Sequence, residues 1–282
     1  MIYYILLLVA AALFATQFLF QQMFENNYGT DIKSTLVFSV GTGLGMAIVS
    51  FIFAGFKTDI TLFSCIVAFI HGSASFAFMY CSLKALKYAN ISVFSVFTML
   101  GGMILPVFYG VGFAGEVLTF GKTICCILVT IAVICTASGG KSHKKAWFYY
   151  IAVFFTNGIT SVCAAVHQNY PSLNVDSYSY MVLSSLALAI WGLIFIIFVK
   201  EKRKLNVKSY LSISGFSLCS GIGNIILMVA LLVLPASVQF PFSTGAAVVF
   251  SAIITKLQKA KMTKGEVIAV LIAFIATVFM MY

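Results

Sequence analysis

Long apolar runs, separated by short polar or charged stretches, follow one another along the whole chain. Each run is close to the roughly 20 residues that a helix needs to cross the hydrocarbon core of a bilayer. The runs are continuously apolar, which favours helical spans over the alternating strands of a membrane barrel. The pattern therefore predicts ten spans, numbered in chain order, at residues 2–22, 33–55, 61–83, 91–112, 119–139, 146–168, 177–199, 209–232, 236–255 and 265–282.

The composition excludes most other classes of protein. Of the 282 residues, 62% are hydrophobic and only 9% are charged. A soluble domain averages about 45–50% apolar and about 25% charged residues, so a soluble enzyme, a disordered chain and a fibrous repeat are excluded. Ten spans use roughly 200 positions, which leaves only short connections and no sizeable domain outside the membrane. The fold class expected is an all-α integral membrane protein.

The net charge of +10 is explained by where the basic residues lie. Among the gaps between spans, counted from the N-terminus, the even-numbered ones carry only Lys57 and Lys122. Because positively charged loops stay on the cytoplasmic side, the odd gaps are predicted to be cytoplasmic and both termini extracytoplasmic. No nucleic-acid partner is expected. The fifteen basic residues of the odd gaps are Lys33, Lys84, Lys87, Lys141, Lys144, Lys145, Lys200, Lys202, Arg203, Lys204, Lys208, Lys256, Lys259, Lys261 and Lys264.

The two halves of the chain resemble each other at an offset of about 145 residues, which predicts repeats at residues 1–140 and 141–282. Since each half holds five spans, an odd number, the second half is expected to cross the membrane inverted relative to the first. Inverted repeats are typical of transporters whose substrate site lies near the bilayer midplane. The matching segments are Tyr3-Tyr4-Ile5 with Tyr149-Tyr150-Ile151, Ile91-Ser92-Val93 with Ala236-Ser237-Val238, and Thr119-Phe120-Gly121 with Thr263-Lys264-Gly265.

A motif in the first half resembles the EamA-type repeat of the drug/metabolite transporter superfamily. It consists of Ala85-Leu86-Lys87-Tyr88-Ala89-Asn90-Ile91-Ser92-Val93, then Pro106, then Gly115-Glu116-Val117-Leu118-Thr119, then Gly121. The resemblance implies a ten-span carrier of small metabolites or drugs, built from two inverted five-helix repeats, with export as the default direction. It also implies a central cavity lined mainly by spans 1, 3, 4, 6, 8 and 9.

No Asp, Glu, Lys or Arg lies in the central part of any predicted span. Intramembrane charges are costly and usually functional, so their absence argues against a transport scheme that uses a buried carboxylate. It also argues against substrates that need a full counter-charge. The expected substrate is neutral, zwitterionic, or a weak cation held by aromatic faces.

His71, near the midpoint of span 3, is the first candidate for a site residue. Two roles are open for this residue, because polar groups at such depth usually face a cavity or a partner. In the first, it lines a cavity and binds substrate or relays a proton. In the second, it is a hydrogen-bonded interior histidine packed against small residues. His167 and Gln168, at the outer end of span 6, are instead expected to be solvated.

Polar side chains within four other spans complete the candidate substrate site. Amides offer both donors and acceptors to a polar solute, although the same groups can join helices at about 0.6 kcal/mol each. Tyr80 and Phe94 are candidates for stacking on a planar solute, with core packing as the alternative. The polar candidates are Gln17 and Gln21 in span 1, Asn157 and Thr160 in span 6, Asn224 in span 8, and Gln239 and Ser243 in span 9.

Two further patterns concern helix geometry. Gly41-Thr42-Gly43-Leu44-Gly45 lies inside span 2, without the Lys and Ser/Thr of a phosphate loop, and predicts a small-residue face for close helix packing. Pro106 and Pro241 interrupt spans 4 and 9. They predict either hinges between moving bundles or static kinks.

Chemical motifs are absent from the sequence. There is no nucleotide-binding motif, metal-ligand cluster or Ser/His/Asp arrangement, and the seven cysteines lie in apolar runs without a C-x-x-C pair. No cofactor, no metal and no enzymatic activity are therefore expected, and transport is expected to draw on a gradient of solute, proton or sodium.

The sequence thus favours a secondary transporter of small organic solutes, working by alternating access in the cell membrane among membrane lipids. The abundance of Lys over Arg indicates an AT-rich bacterial genome. Two other functions stay open. A flippase or membrane-embedded enzyme acting on lipid-linked substrates needs a lateral polar gate or buried acid and base groups, and a scaffold needs no polar cavity.

Overall fold

The computed structural model describes most of the chain. Inside the helices, it gives no side-chain placement for residues 92, 144, 145, 231, 236–241, 266 and 277. The described residues are 2–88, 91–115, 117, 119–121, 123–124, 127–128, 130–132, 144–199, 204–231, 233, 236–260, 262 and 264–279.

Nine α-helices are present within this described part of the chain. Helices α1 to α4 correspond to predicted spans 1 to 4, and α5 to α9 correspond to spans 6 to 10. Described residues between 120 and 132, in predicted span 5, are also helical, whereas residues 133–139 of that span lie outside the described part. The helices are α1 Ile2–Tyr28, α2 Ile32–Phe53, α3 Leu62–Leu86, α4 Ile91–Phe113, α5 Lys144–Asn169, α6 Ser177–Ile196, α7 Val207–Leu231, α8 Ala236–Leu257 and α9 Lys264–Phe279.

Short polar side chains fix where several helices begin. The Asp31 carboxylate accepts a hydrogen bond from the backbone N–H of Ser34 at 2.9 Å and caps α2. Asp176 does the same for α6, accepting from Tyr178 N at 2.8 Å, and Thr61 caps α3. Because the first N–H groups of a helix have no intrahelical partner, such caps stabilise it by about 1 kcal/mol each.

The helices have the length and surface of membrane spans. Seven of those in the described part are long and apolar enough to cross a bilayer. Their outer faces expose large apolar side chains such as Ile48, Phe69 and Leu271. In water such a surface would be unstable, but in lipid it is the expected exterior. The chain is therefore an α-helical, multi-pass membrane protein.

The helices of the two halves of the chain pack mainly against each other. The most extensive contacts are α1 with α7, α2 with α6, α4 with α5, and α3 with α5. Gly43 makes the α2–α6 crossing possible, since a β-carbon there would lie 2.8 Å from the backbone of both Ser185 and Ala189. The prediction of a small-residue packing face at residues 41–45 is thus confirmed at this position.

Contacts near the loops show that even-numbered gaps lie at one end of the bundle and odd-numbered gaps lie at the other. At one end, the Thr61 hydroxyl of gap 2 donates to the Leu173 carbonyl of gap 6 at 2.8 Å. At the other end, Gln258 near gap 9 donates to Gln22 near gap 1 at 2.9 Å. The odd gaps carry fifteen of the 17 basic residues, so we call these the Lys-poor and the Lys-rich end. Further contacts are Asn169 with Tyr109 at the Lys-poor end and Tyr88 with Tyr149 at the Lys-rich end.

Candidate functional site

A cavity of about 190 Å³ lies at the level of the helix midpoints. Eight helices, α1 to α8, contribute described side chains to its wall. None of these described lining side chains is charged. The polar ones are Gln17, His71, Ser75, Thr98, Asn157, Thr160, Ser161, Ser184, Ser185, Ser220, Asn224, Ser243 and Thr244.

The apolar part of the wall consists largely of aromatic and methionine side chains. The rings of Phe14, Phe78 and Phe216 line it. Methionine is flexible and polarisable, and it adapts to ligands of different shape, so the cavity combines adaptable walls with fixed polar groups. The lining methionines are Met46, Met79, Met99, Met181 and Met228.

His71 connects the cavity to a group of packed side chains toward the Lys-poor end. Its Nδ1 lies 2.9 Å from the hydroxyl of Tyr180. The Tyr180 ring stacks on the ring of His167, with centroids 4.0 Å apart, and His167 Nε2 lies 3.0 Å from the Ser64 hydroxyl. His71 is therefore both a cavity-lining group and a hydrogen-bonded interior histidine, the two roles that the sequence left open.

The prediction that His167 is solvated is wrong, because its side chain is only 2% exposed. The connection between α5 and α6 folds back over it. Asn174 donates to the His167 carbonyl at 2.9 Å, and Val175 N–H donates to the Ser64 hydroxyl at 3.1 Å. This return of the chain is a tertiary feature that hydropathy does not encode.

The two lining asparagines hold helices as well as facing the cavity. Asn157 on α5 donates from Nδ2 to the Thr98 carbonyl on α4 at 2.7 Å. Asn224 donates from Nδ2 to the Ser220 carbonyl one turn earlier on α7, at 2.8 Å. The interhelical role that the sequence analysis left open is thus real for Asn157, and it coexists with a place in the cavity wall.

Six of the ten predicted site residues line this one cavity, and they come from five helices. Polar groups in the middle of apolar helices are stable where they meet in a common cavity or a partner, which explains why the structure brings them together. They are Gln17, His71, Asn157, Thr160, Asn224 and Ser243.

Three other predicted site residues lie away from the cavity wall. Gln21 is fully buried and donates to the hydroxyl of Ser82. Phe94 is fully buried, with its ring 5.0 Å from that of Phe18, so core packing describes it.

Tyr80 lies about two turns before the Lys-rich end of α3, with its ring 6.5 Å from that of Tyr149 and below the Lys84 ammonium. Its position places it outside the cavity wall. The side chain of Gln239, the tenth predicted residue, lies outside the described part.

Helices α2 and α6 contribute lining residues that the sequence analysis missed. Met46 comes from α2, and Ser184 and Ser185 come from α6. The adjacent serines in the middle of an apolar span were a usable signal, since mid-span hydroxyls seek a partner. Met46 carries no such signal.

Packed rings lie beyond the cavity on both sides. Toward the Lys-rich end, Phe97 stacks on Tyr150 with centroids 5.1 Å apart, and the Phe38 ring lies 5.1 Å from that of the cavity-lining Phe216. Toward the Lys-poor end lies the stack of His167 on Tyr180. We call these the inner and the outer aromatic layer. Packed aromatic side chains therefore lie toward both ends of the bundle from the cavity.

Comparison with known proteins gives the fold and nothing more specific. No protein-family model matches the chain, and no curated protein matches it. One solved crystal structure, whose description names no function, is similar in fold to this chain, with a TM-score of 0.64 and 16% sequence identity. The match covers 98% of this chain and 95% of the other chain. At this identity the likeness concerns architecture alone.

Proposed function

We propose that the protein is a secondary transporter, and not an enzyme, that moves small organic solutes across the cell membrane by alternating access. The observation that carries the proposal is a polar but uncharged cavity at the helix midpoints, between two aromatic layers. A structural scaffold has no need of thirteen polar side chains around a mid-membrane space. Export, driven by a gradient of solute, proton or sodium, is the direction we favour.

The proposal includes a ten-span architecture of two inverted five-helix repeats, residues 1–140 and 141–282. The packing supports it, because exchanging the halves leaves the α2–α6 contact unchanged and converts the other major contacts into observed ones. Thus α1 with α7 becomes α5 with α3, and α4 with α5 becomes α8 with α1. Lining residues repeat as well: Ser75 and Ser220 are 145 positions apart, as are Thr98 and Ser243. Membership of the EamA-type drug/metabolite transporters fits this symmetry.

The mechanism follows from the two aromatic layers. If the repeats rock against each other, parting the outer layer at Tyr180 opens the cavity toward the Lys-poor end. Parting the inner layer, at Phe97 and Tyr150, opens it toward the Lys-rich end. Pro106 lies inside α4, which runs past the cavity, and is a natural position for such a hinge because it removes a helix hydrogen bond.

Cysteine accessibility tests alternating access without knowledge of the solute. We expect Ser220→Cys, in a chain whose native cysteines are replaced by Ala, to react with a membrane-impermeant maleimide in both right-side-out and inside-out vesicles. The reason is that Ser220 lines the cavity. Ser214→Cys is the matched control on the same helix, because Ser214 faces outward from the bundle and should stay unreactive in both preparations. Failure of Ser220→Cys to react from either side would contradict the proposal.

A further inference from the structure

The hydrogen-bonding character of the cavity wall differs from what its residue types suggest. Amides and hydroxyls can both donate and accept. Which of these roles is open to a solute depends on which hydrogens the protein already uses. Resting on the proposed transport function, this distinction identifies the chemical class of the solute.

Four of the nine hydroxyl groups on the described wall donate their hydrogens to backbone carbonyls of their own helices. Thr98 donates to the Phe94 carbonyl at 2.9 Å, and Thr160 donates to the Asn157 carbonyl at 2.6 Å. Ser184 on α6 donates to its own helix in the same way at 3.2 Å. A hydroxyl has one hydrogen and two lone pairs, so these groups present only acceptors to the cavity.

The amides are biased in the same direction. Asn157 and Asn224 each commit an N–H to a backbone carbonyl, at 2.7 and 2.8 Å. Gln17 lines the cavity with a side chain that is only 8% exposed, and its Oε1 has no hydrogen-bond partner among the described residues. A buried acceptor left unpaired costs about 1–3 kcal/mol, and a donor from the cavity removes that cost after rotation of the flexible amide torsion.

The remaining wall suits a positively charged or strongly donating group on an apolar body. Aromatic faces, such as those of Phe78 and Phe216, attract cations. Rings of oxygen acceptors replace the hydration shell of a cation inside a membrane. A carboxylate or phosphate would instead find no cation among the described lining residues to balance its charge.

We propose that the solute is a small organic amine, whose N–H groups bind the acceptors around Gln17, Asn157 and Asn224 and whose apolar part packs on the Phe and Met side chains. Recognition acts through N–H donors and not through positive charge alone. A primary ammonium therefore binds more tightly than the same skeleton carrying a trimethylammonium, a hydroxyl or a carboxylate.

A matched ligand series tests the proposal on the full-length protein in lipid nanodiscs. The probes are phenethylamine, trimethyl(phenethyl)ammonium, 2-phenylethanol and 3-phenylpropionate, with calorimetric affinity and thermal unfolding as readouts. A ligand that binds the native state raises its unfolding temperature by mass action. We expect the amine to bind at least tenfold more tightly than the trimethylammonium and the alcohol, and the carboxylate to give no shift. Equal affinities, or preference for the carboxylate, would overturn the proposal.

Gln17→Met tests the site itself, since it keeps the length of the side chain and removes the orphaned acceptor. This substitution should weaken the binding of phenethylamine about tenfold. The same substitution at Gln22, on the same helix but at the Lys-rich end, should leave the affinity unchanged. If no amine binds while Ser220→Cys still reacts from both sides, the solute class is wrong and the transporter stands. If Ser220→Cys is unreactive, the transport function itself fails.

Discussion

At the scale of single residues, hydrogen-bond partners separate structural polar groups from those open to a solute. Ser64 is fully buried, and its hydroxyl contacts His167 Nε2 and accepts from Val175 N–H. We call the hydrogen bonds that join Ser64, His167 and Val175 the outer network. Gln17, by contrast, lines the cavity and keeps an acceptor without a partner among the described residues. The first arrangement stabilises a closed layer of side chains, and the second is suited to binding.

Replacing Ser64 with Ala should therefore destabilise the protein. The buried N–H of Val175 and the Nε2 of His167 would lose their partner, which costs about 1–3 kcal/mol in the free energy of unfolding. Reversible unfolding in mixed micelles measures the difference. Ser214→Ala, on the outward face of α7, is the control and should change stability by less than about 0.5 kcal/mol. Equal stability of the two variants would show that the outer network contributes nothing.

The residues show why only part of the site was predictable. Gln17, His71 and Asn157 could be found because a polar group in an apolar span demands a partner, and all three line the cavity. Phe94 carries no such demand, and an aromatic side chain fits the core equally well. His167 is buried only because the following loop returns over it, which the sequence pattern does not encode.

At the scale of elements, helix positions can be predicted from hydropathy because each helix must cross the bilayer. Predicted and observed starts agree within two residues for most spans, because the thickness of the hydrocarbon core fixes the length. The helix ends agree less closely, and the largest difference is in α1, predicted to end at residue 22 and observed to end at Tyr28. Its backbone hydrogen bonds continue through Glu25 and Asn26 until Gly29 adopts a φ of 104°, a conformation that ends helices and favours glycine.

The crossing of α4 and α5 provides a prediction at this scale. A β-carbon on Gly101 would lie 2.0 Å from the Phe154 carbonyl oxygen, so Gly101→Ala must separate the two helices. We expect the free energy of unfolding to fall by about 1–3 kcal/mol, as for other overpacked sites. Gly112→Ala, on the same helix with open space around it, should be neutral or stabilising because Ala favours helix by about 1 kcal/mol.

Melting temperatures of both variants in the same detergent test whether α4 and α5 are in close contact at Gly101. Gly101→Ala should unfold several degrees below the parent chain and Gly112→Ala at or above it. An unchanged melting temperature for Gly101→Ala would mean that the α4–α5 contact is looser than its geometry indicates.

At the scale of the whole molecule, the interleaving of the two halves decides what faces the cavity. Met46 and Ser185 reach the cavity because α2 and α6 cross closely at Gly43. Span lengths and charge bias carry no information on such crossings, since lipid-facing and helix-facing positions are equally apolar. The pairing of distant helices therefore had to come from the structure, whereas the positions of the described helices along the chain did not.

The grouping of loops at two ends gives the last prediction, the orientation in the membrane. Basic loops are retained in the cytoplasm, and fifteen of the 17 basic residues fall in the odd-numbered gaps of the sequence. Lys57 and Lys256 are both exposed, at the Lys-poor and the Lys-rich end respectively. In intact cells a membrane-impermeant maleimide should label Lys57→Cys, while Lys256→Cys should react only after permeabilisation. The opposite result would invert the topology, and labelling of both in intact cells would contradict the placement of these loops at opposite ends of the bundle.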